Sequence, residues 1–64
     1  MRVFLESPTG KGTVRMVERQ DTEDILIIAS RKDGEKKSWT THSDLAALVK
    51  TFEQGGFKVV ERIE

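Results

Sequence analysis

The chain has no cysteine in its 64 residues, which excludes a disulfide framework, a thiolate metal site and a cysteine nucleophile. That fits a reducing, cytoplasmic setting. Histidine occurs once, as His42, so a transition-metal site would need carboxylates converging on it from elsewhere. Long apolar runs are missing too, and the opening Met1 to Leu5, followed by Glu6, is too short for the apolar region of a secretion signal. The expectation is a soluble protein with no membrane segment. A net charge is also lacking: eleven basic and eleven acidic side chains cancel, so no long-range field draws in polyanions, and any nucleic-acid site must be a local patch.

The usual signatures of catalysis are absent as well. Thr9-Gly10-Lys11-Gly12-Thr13 looks like part of a phosphate loop, but Leu5 stands where its first glycine belongs and Gly12 stands where a Ser or Thr must follow the lysine. The pattern on both sides reads as strand, so this segment is expected to be a turn. There is no Gly-x-Ser-x-Gly elbow, and Ser7, Ser30, Ser38 and Ser43 fall in turn, strand or cap contexts. Glu18, Asp21, Glu23 and Asp24 cluster without calcium-loop spacing, and they read as solvated carboxylates around a hairpin tip. His42 reads as a solvated or cap-associated histidine. No catalytic, cofactor-binding or metal-binding residue is assigned, and the expected role is non-enzymatic.

What is present is a clear succession of local patterns. Val3, Phe4 and Leu5 precede the Ser7-Pro8-Thr9-Gly10 cluster, a short strand (Arg2 to Glu6) and a turn. Gly12 to Gln20 alternates as a strand with one wet face, and the adjacent Met16 and Val17 suggest a bulge. Asp24 to Arg31 carries Ile25, Leu26, Ile27, Ile28 and Ala29 without interruption, the mark of a strand apolar on both faces at the centre of a sheet. Asp33-Gly34 predicts a type I′ hairpin turn into a fourth strand at about Glu35 to Thr40. Within it Lys36, Ser38 and Thr40 face one way, and Lys37, Trp39 and Thr41 the other.

Thr41 with Asp44 three residues later is the expected helix cap, and Ser43 competes with it. Leu45, Leu48, Val49 and Phe52 then fall on one helical stripe. Their burial contributes roughly 1.5–3 kcal/mol each before entropy, so the sheet, more than intrinsic propensity, holds the helix. Gly55 is the expected left-handed stop, with Phe57 supplying the hydrophobic contact of a Schellman ending. A last strand, Phe57 to Ile63, sends Phe57, Val59 and Ile63 to one face. Helix, Gly-Gly, Phe and a Val-Val strand is a join shared by many unrelated proteins and carries no function with it. The expected fold is one small α+β domain over residues 1–64, β-β-β-β-α-β, with an antiparallel sheet, one amphipathic helix on one face and the last strand at an edge.

One helix leaves a sheet face uncovered, yet Ile25 to Ile28 are apolar on both sides, and Phe4 and Val60 point away from the expected core. A second copy over that face, or along an edge strand, answers the surplus, because so short a chain buries little by itself. Long Lys and Arg stems covering the face within a monomer are the alternative. The leading expectation is therefore an interaction module, a homodimer that binds another protein. The rival is single-stranded nucleic-acid binding on the basic hairpin. There Arg31, Lys32, Lys36 and Lys37 accompany the only tryptophan, Trp39, and Arg15 and Arg19 extend the patch if their strand shares its face. Asp33 and Glu35 halve that charge, and Trp39 has a purely structural reading in a core or interface.

Overall fold

The computed structural model describes residues 1–64. Five strands form one antiparallel sheet: β1 (Arg2–Glu6), β2 (Gly12–Arg19), β3 (Asp24–Arg31), β4 (Lys36–Thr41) and β5 (Lys58–Ile63), with helix α1 (Leu45–Gln54) between β4 and β5. The order across the sheet is β4-β3-β2-β1-β5. The expected element order and the edge position of the last strand both hold. β3 is an interior strand as its composition requires, although β2 takes the middle place.

Directions explain the helix. The four-strand meander leaves β4 antiparallel to β3, and β5 is antiparallel to β1, so β4 and β5 run the same way. Two like-directed strands need a return between them, and ten helical residues, about 15 Å, supply it across one face. Leu45 and Val49 are buried there against Val3, Leu5, Val14, Met16, Ile25 and Ile27, and Leu48 and Phe52 flank them half-buried. The predicted stripe is thus the packing face.

Both helix ends differ in detail from expectation. Thr41 stays in β4, paired with Ile25, and the helix begins only at Leu45, which leaves Thr41 three residues short of the cap position. Asp44 is the N-cap, with extended backbone and no side-chain capping bond. At the other end Gly56, not Gly55, has the left-handed backbone, with φ +98°. The Phe57 N–H donates to the Phe52 carbonyl at 3.1 Å and the Gly56 N–H to the Glu53 carbonyl at 3.0 Å, the paired bonds of a Schellman ending. Its hydrophobic contact is Phe52 against Phe57, edge to face with ring centres 5.2 Å apart.

The hairpin at Asp33-Gly34 forms without a type I′ turn. Arg31 and Glu35 close the loop, the Gly34 N–H donates to the Arg31 carbonyl at 3.0 Å, and only Gly34 has a positive φ, +100°. That is a three-residue loop ending in one left-handed glycine, with Asp33 Oδ1 accepting the Glu35 N–H at 2.9 Å.

The bulge expected in β2 lies elsewhere. β2 pairs one-to-one from Gly12 to Arg19, and Val17 departs from the core-facing series because it faces the other side of the sheet. The irregularity is in β5: Leu5 pairs with Val59 and Phe4 with Glu61, leaving Val60 as the extra residue. An extra residue reverses the alternation beyond it. Val59 therefore packs with the core, but Ile63, expected beside it, pairs with Arg2 on the opposite face.

Candidate functional site

The face away from the helix can be read from the register. Arg2, Val17, Leu26 and Thr40 form one row across it, with Ile63 at the end, and Phe4, Arg15, Ile28 and Ser38 form the next. Phe4, Val17, Leu26 and Ile28 are half-buried without a second layer of backbone over them, and Ile63 is 42% exposed. Part of the shielding comes from Arg15, whose guanidinium carbon lies 4.8 Å from the Phe4 ring centre. A guanidinium over an aromatic face is an electrostatic contact worth about 0.5–1 kcal/mol at exposed sites, so it covers the ring loosely. Val60 at the bulge is 59% exposed.

At the turn end of the β2–β3 hairpin one carboxylate departs from expectation. Asp24, read from sequence as solvated, is only 8% exposed. Arg19 Nε donates to Asp24 Oδ1 and Arg19 Nη2 to Oδ2, both at 2.7 Å, while Thr22 Oγ1 donates to Oδ1 at 2.6 Å. The Arg19 bonds, then Thr22, hold the Asp24 carboxyl far below the usual carboxylate range, against the opposing effect of burial. The same bonds raise the pKa of Arg19. The pair spans the first rung of the hairpin, Arg19 opposite Asp24, and is structural.

Because Asp24 ionises more easily folded than unfolded, its contribution is fully present above the ordinary aspartate value, near 4, and is lost progressively as pH falls below that value toward the lowered folded one. Urea titrations across the acid range are expected to show Asp24→Asn weaker than the parent at pH 7, with the difference narrowing below that value. A difference that does not change with pH would show that the ion pair is not its source.

The sequence-selected basic residues divide between the two faces. Lys37 and Trp39 stand on the helix side of β4, opposite Ala29 and Ile27, and Lys36 stands on the other side opposite Ser30. Arg15 and Arg19 share the Lys36 side, so they do not extend a patch centred on Trp39. Arg15 is engaged by Phe4 and Arg19 by Asp24. Trp39 lies at the β4 edge and is 45% exposed. Glu35 meets two of the cations, Arg31 Nη1 at 3.3 Å and Lys37 Nζ at 3.7 Å. Lys32 and Lys36 are exposed and outside any ion pair.

One residue that sequence reading did not assign joins this end of the molecule. The Lys32 N–H donates to the Lys11 carbonyl at 3.0 Å, tying the β1–β2 turn to the β3–β4 hairpin. Between them lies a groove of about 700 Å³, with Lys11, Arg31 and Lys32 around it, one carboxylate, Asp33, already accepting the Glu35 N–H, and Val14, Ala29 and Phe57 as its apolar part. The Gly-Lys-Gly segment is legible as a turn, but the hairpin it meets is about twenty residues away, beyond the reach of any local pattern.

His42 Nδ1 lies 3.3 Å from the Glu23 carbonyl oxygen, which can only accept, so that nitrogen carries the proton and links the segment before the helix to the β2–β3 turn. The ring is exposed, as expected, and its bond goes to that distant turn and not to the helix cap. Ser7 Oγ accepts the Gly12 N–H at 3.1 Å and so belongs to the β1–β2 turn. No three histidine, aspartate or glutamate side chains converge. No helix is long and apolar enough to cross a membrane. Comparison with protein-family models, with curated proteins and with solved structures gives no match.

Proposed function

We propose that this protein is a non-enzymatic cytoplasmic interaction module that pairs with a second copy of itself through the sheet face opposite the helix and so presents two equivalent surfaces to a protein partner. The observation that carries the reading is the contiguous set Phe4, Val17, Leu26 and Ile28 on a face with no covering layer, ending at exposed Ile63.

A sheet apolar on both sides is stable when each face is packed, and the chain supplies one helix for two faces. Five strands about 4.8 Å apart and about six residues long present roughly 24 by 20 Å, about 480 Å² of projected area per subunit, at the small end of specific interfaces. A two-fold dimer uses one patch on both subunits, so a single apolar face is sufficient. The edges are less suited to pairing. Lys36 and Lys37 stand on the β4 edge, and β5 carries the bulge together with Lys58, Glu61 and Arg62, devices that discourage strand addition.

Sedimentation equilibrium of the parent chain is expected to give a dimer, with Leu26→Lys and Val17→Lys each shifting it to monomer while circular dichroism retains the folded spectrum. A monomeric parent at every soluble concentration overturns the proposal. So does a dimer that both folded variants keep. Ile63→Lys provides a check that leaves the centre of the sheet untouched, and a weaker dimer is expected from it.

A further inference from the structure

We infer that the groove between the β1–β2 turn and the β3–β4 hairpin binds single-stranded nucleic acid, with its phosphates on Lys11, Arg31 and Lys32, a base against the apolar wall that includes Phe57, and the neighbouring nucleotides running along β4 past Lys37 to Trp39.

The two halves of this site come from separate parts of the chain. Lys11 arrives on the first turn and Arg31 and Lys32 on the third strand and its hairpin, and the bond from the Lys32 N–H to the Lys11 carbonyl at 3.0 Å fixes them side by side. Phe57 comes from the far end of the helix, held by the Schellman bonds and by its contact with Phe52. The groove of about 700 Å³ is therefore set by three elements meeting at one end of the sheet. Its volume falls in the range of small-ligand sites, about 300–1,000 Å³.

The occupant follows from how charge and aromatic surface are laid out. Lys11 and Lys32 are exposed and make no ion pair, so they retain their charge for an anion. Arg31 is held by Glu35 at 3.3 Å across two exposed side chains, a contact of the kind worth about 0–1 kcal/mol, which a phosphate displaces at little cost. Beyond the groove, Lys37 lies opposite Ala29, itself a groove residue, and Trp39 lies on the same face one pleat further, about 7 Å along the strand. Cations on an open rim leading to an exposed indole make a track, and a track suits a chain of phosphates and bases better than one small anion. Aromatic faces stack on unpaired bases and not on paired ones, which selects the single strand. With the whole molecule neutral, attraction rests on this local set and must be sensitive to salt.

Titration of a labelled oligothymidylate at low ionic strength, followed by anisotropy and by the emission of the lone tryptophan, tests the site. Binding is expected with quenched Trp39 emission and with log affinity falling against log salt at a slope near −2 for three phosphate contacts. Lys11→Ala and Lys32→Ala are each expected to weaken binding several-fold and to flatten that slope, and Trp39→Ala to weaken it about tenfold or more. Lys50→Ala, on the exposed helix surface, is expected to bind as the parent does. Leu26→Lys, on the opposite sheet face, is expected to keep its affinity, so failure here and failure of the dimer are read separately. No anisotropy change at low salt overturns the inference. Parent-like binding by both lysine variants also overturns it, as do equal affinity for duplex DNA and competition by inorganic phosphate or a mononucleotide at matched concentration.

Discussion

Leu5→Ala is expected to destabilise the domain by about 2–5 kcal/mol, the range for removing a fully buried leucine. Leu5 is 0% exposed and lies in β1 between its neighbours Val14 and Val59, under the helix. Only eight apolar residues make up the buried cluster, so there is little slack to fill the space the isobutyl group leaves. A chain of this length has a total stability of order 3–10 kcal/mol, and each kilocalorie corresponds to a change of about 4–8 °C in the melting temperature. The variant should therefore melt lower by about 8 °C or more, or fail to fold near body temperature. Val60→Ala, at the exposed bulge, should stay within about 0.5 kcal/mol of the parent. Urea unfolding followed by circular dichroism at one fixed protein concentration measures both, because a dimerising chain gains stability with concentration. A Leu5→Ala loss below 1 kcal/mol would mean that the helix does not press on this strand.

The second large effect separates two adjacent glycines. Gly56 has φ +98°, and a Cβ built on it lies 3.1 Å from the Pro8 Cβ. An alanine there must adopt the left-handed conformation that L-residues resist and must also push against the β1–β2 turn, so Gly56→Ala is expected to cost about 1–3 kcal/mol. Gly55 has φ −82°, and its added Cβ meets the Phe52 carbonyl oxygen at 3.4 Å. Gly55→Ala should be neutral, or stabilising by up to about 1 kcal/mol through the unfolded chain. Equal losses at the two positions would place the left-handed residue wrongly. Gly56→Ala also serves the nucleic-acid inference, because the Schellman ending it disturbs is what seats Phe57 at the groove: weaker oligothymidylate binding should accompany the loss of stability.

Much of the fold can be read from short-range pattern. The alternation of Val14 and Met16, the unbroken Ile25 to Ala29 and the stripe Leu45, Leu48, Val49 and Phe52 each depend on which neighbours two, three or four places away are apolar, and each became the element its period required. The misreadings occurred where a distant partner takes over a local choice. Thr41 would cap a helix if it were free, but Ile25 holds it in the sheet. Asp24 would be solvated at a hairpin tip, but Arg19 and Thr22 enclose its carboxylate. Ile63 would follow Val59 inward, but the extra residue at Val60 turns it outward. The basic hairpin was visible as composition. Its division between two faces, and the arrival of Lys11 and Phe57 beside Arg31 and Lys32, were not.

By itself, then, the order of residues determined which segments are strand, helix and turn, and that one helix must serve a sheet greasy on both sides, because those properties depend on bonds and side chains only a few positions apart. Tertiary structure alone decided that β5 returns beside β1, which side each late residue faces, and which cations share a groove. Those outcomes depend on which hydrogen-bonding edge of the sheet is still open when the chain comes back to it, and on one inserted residue that reverses every side chain after it.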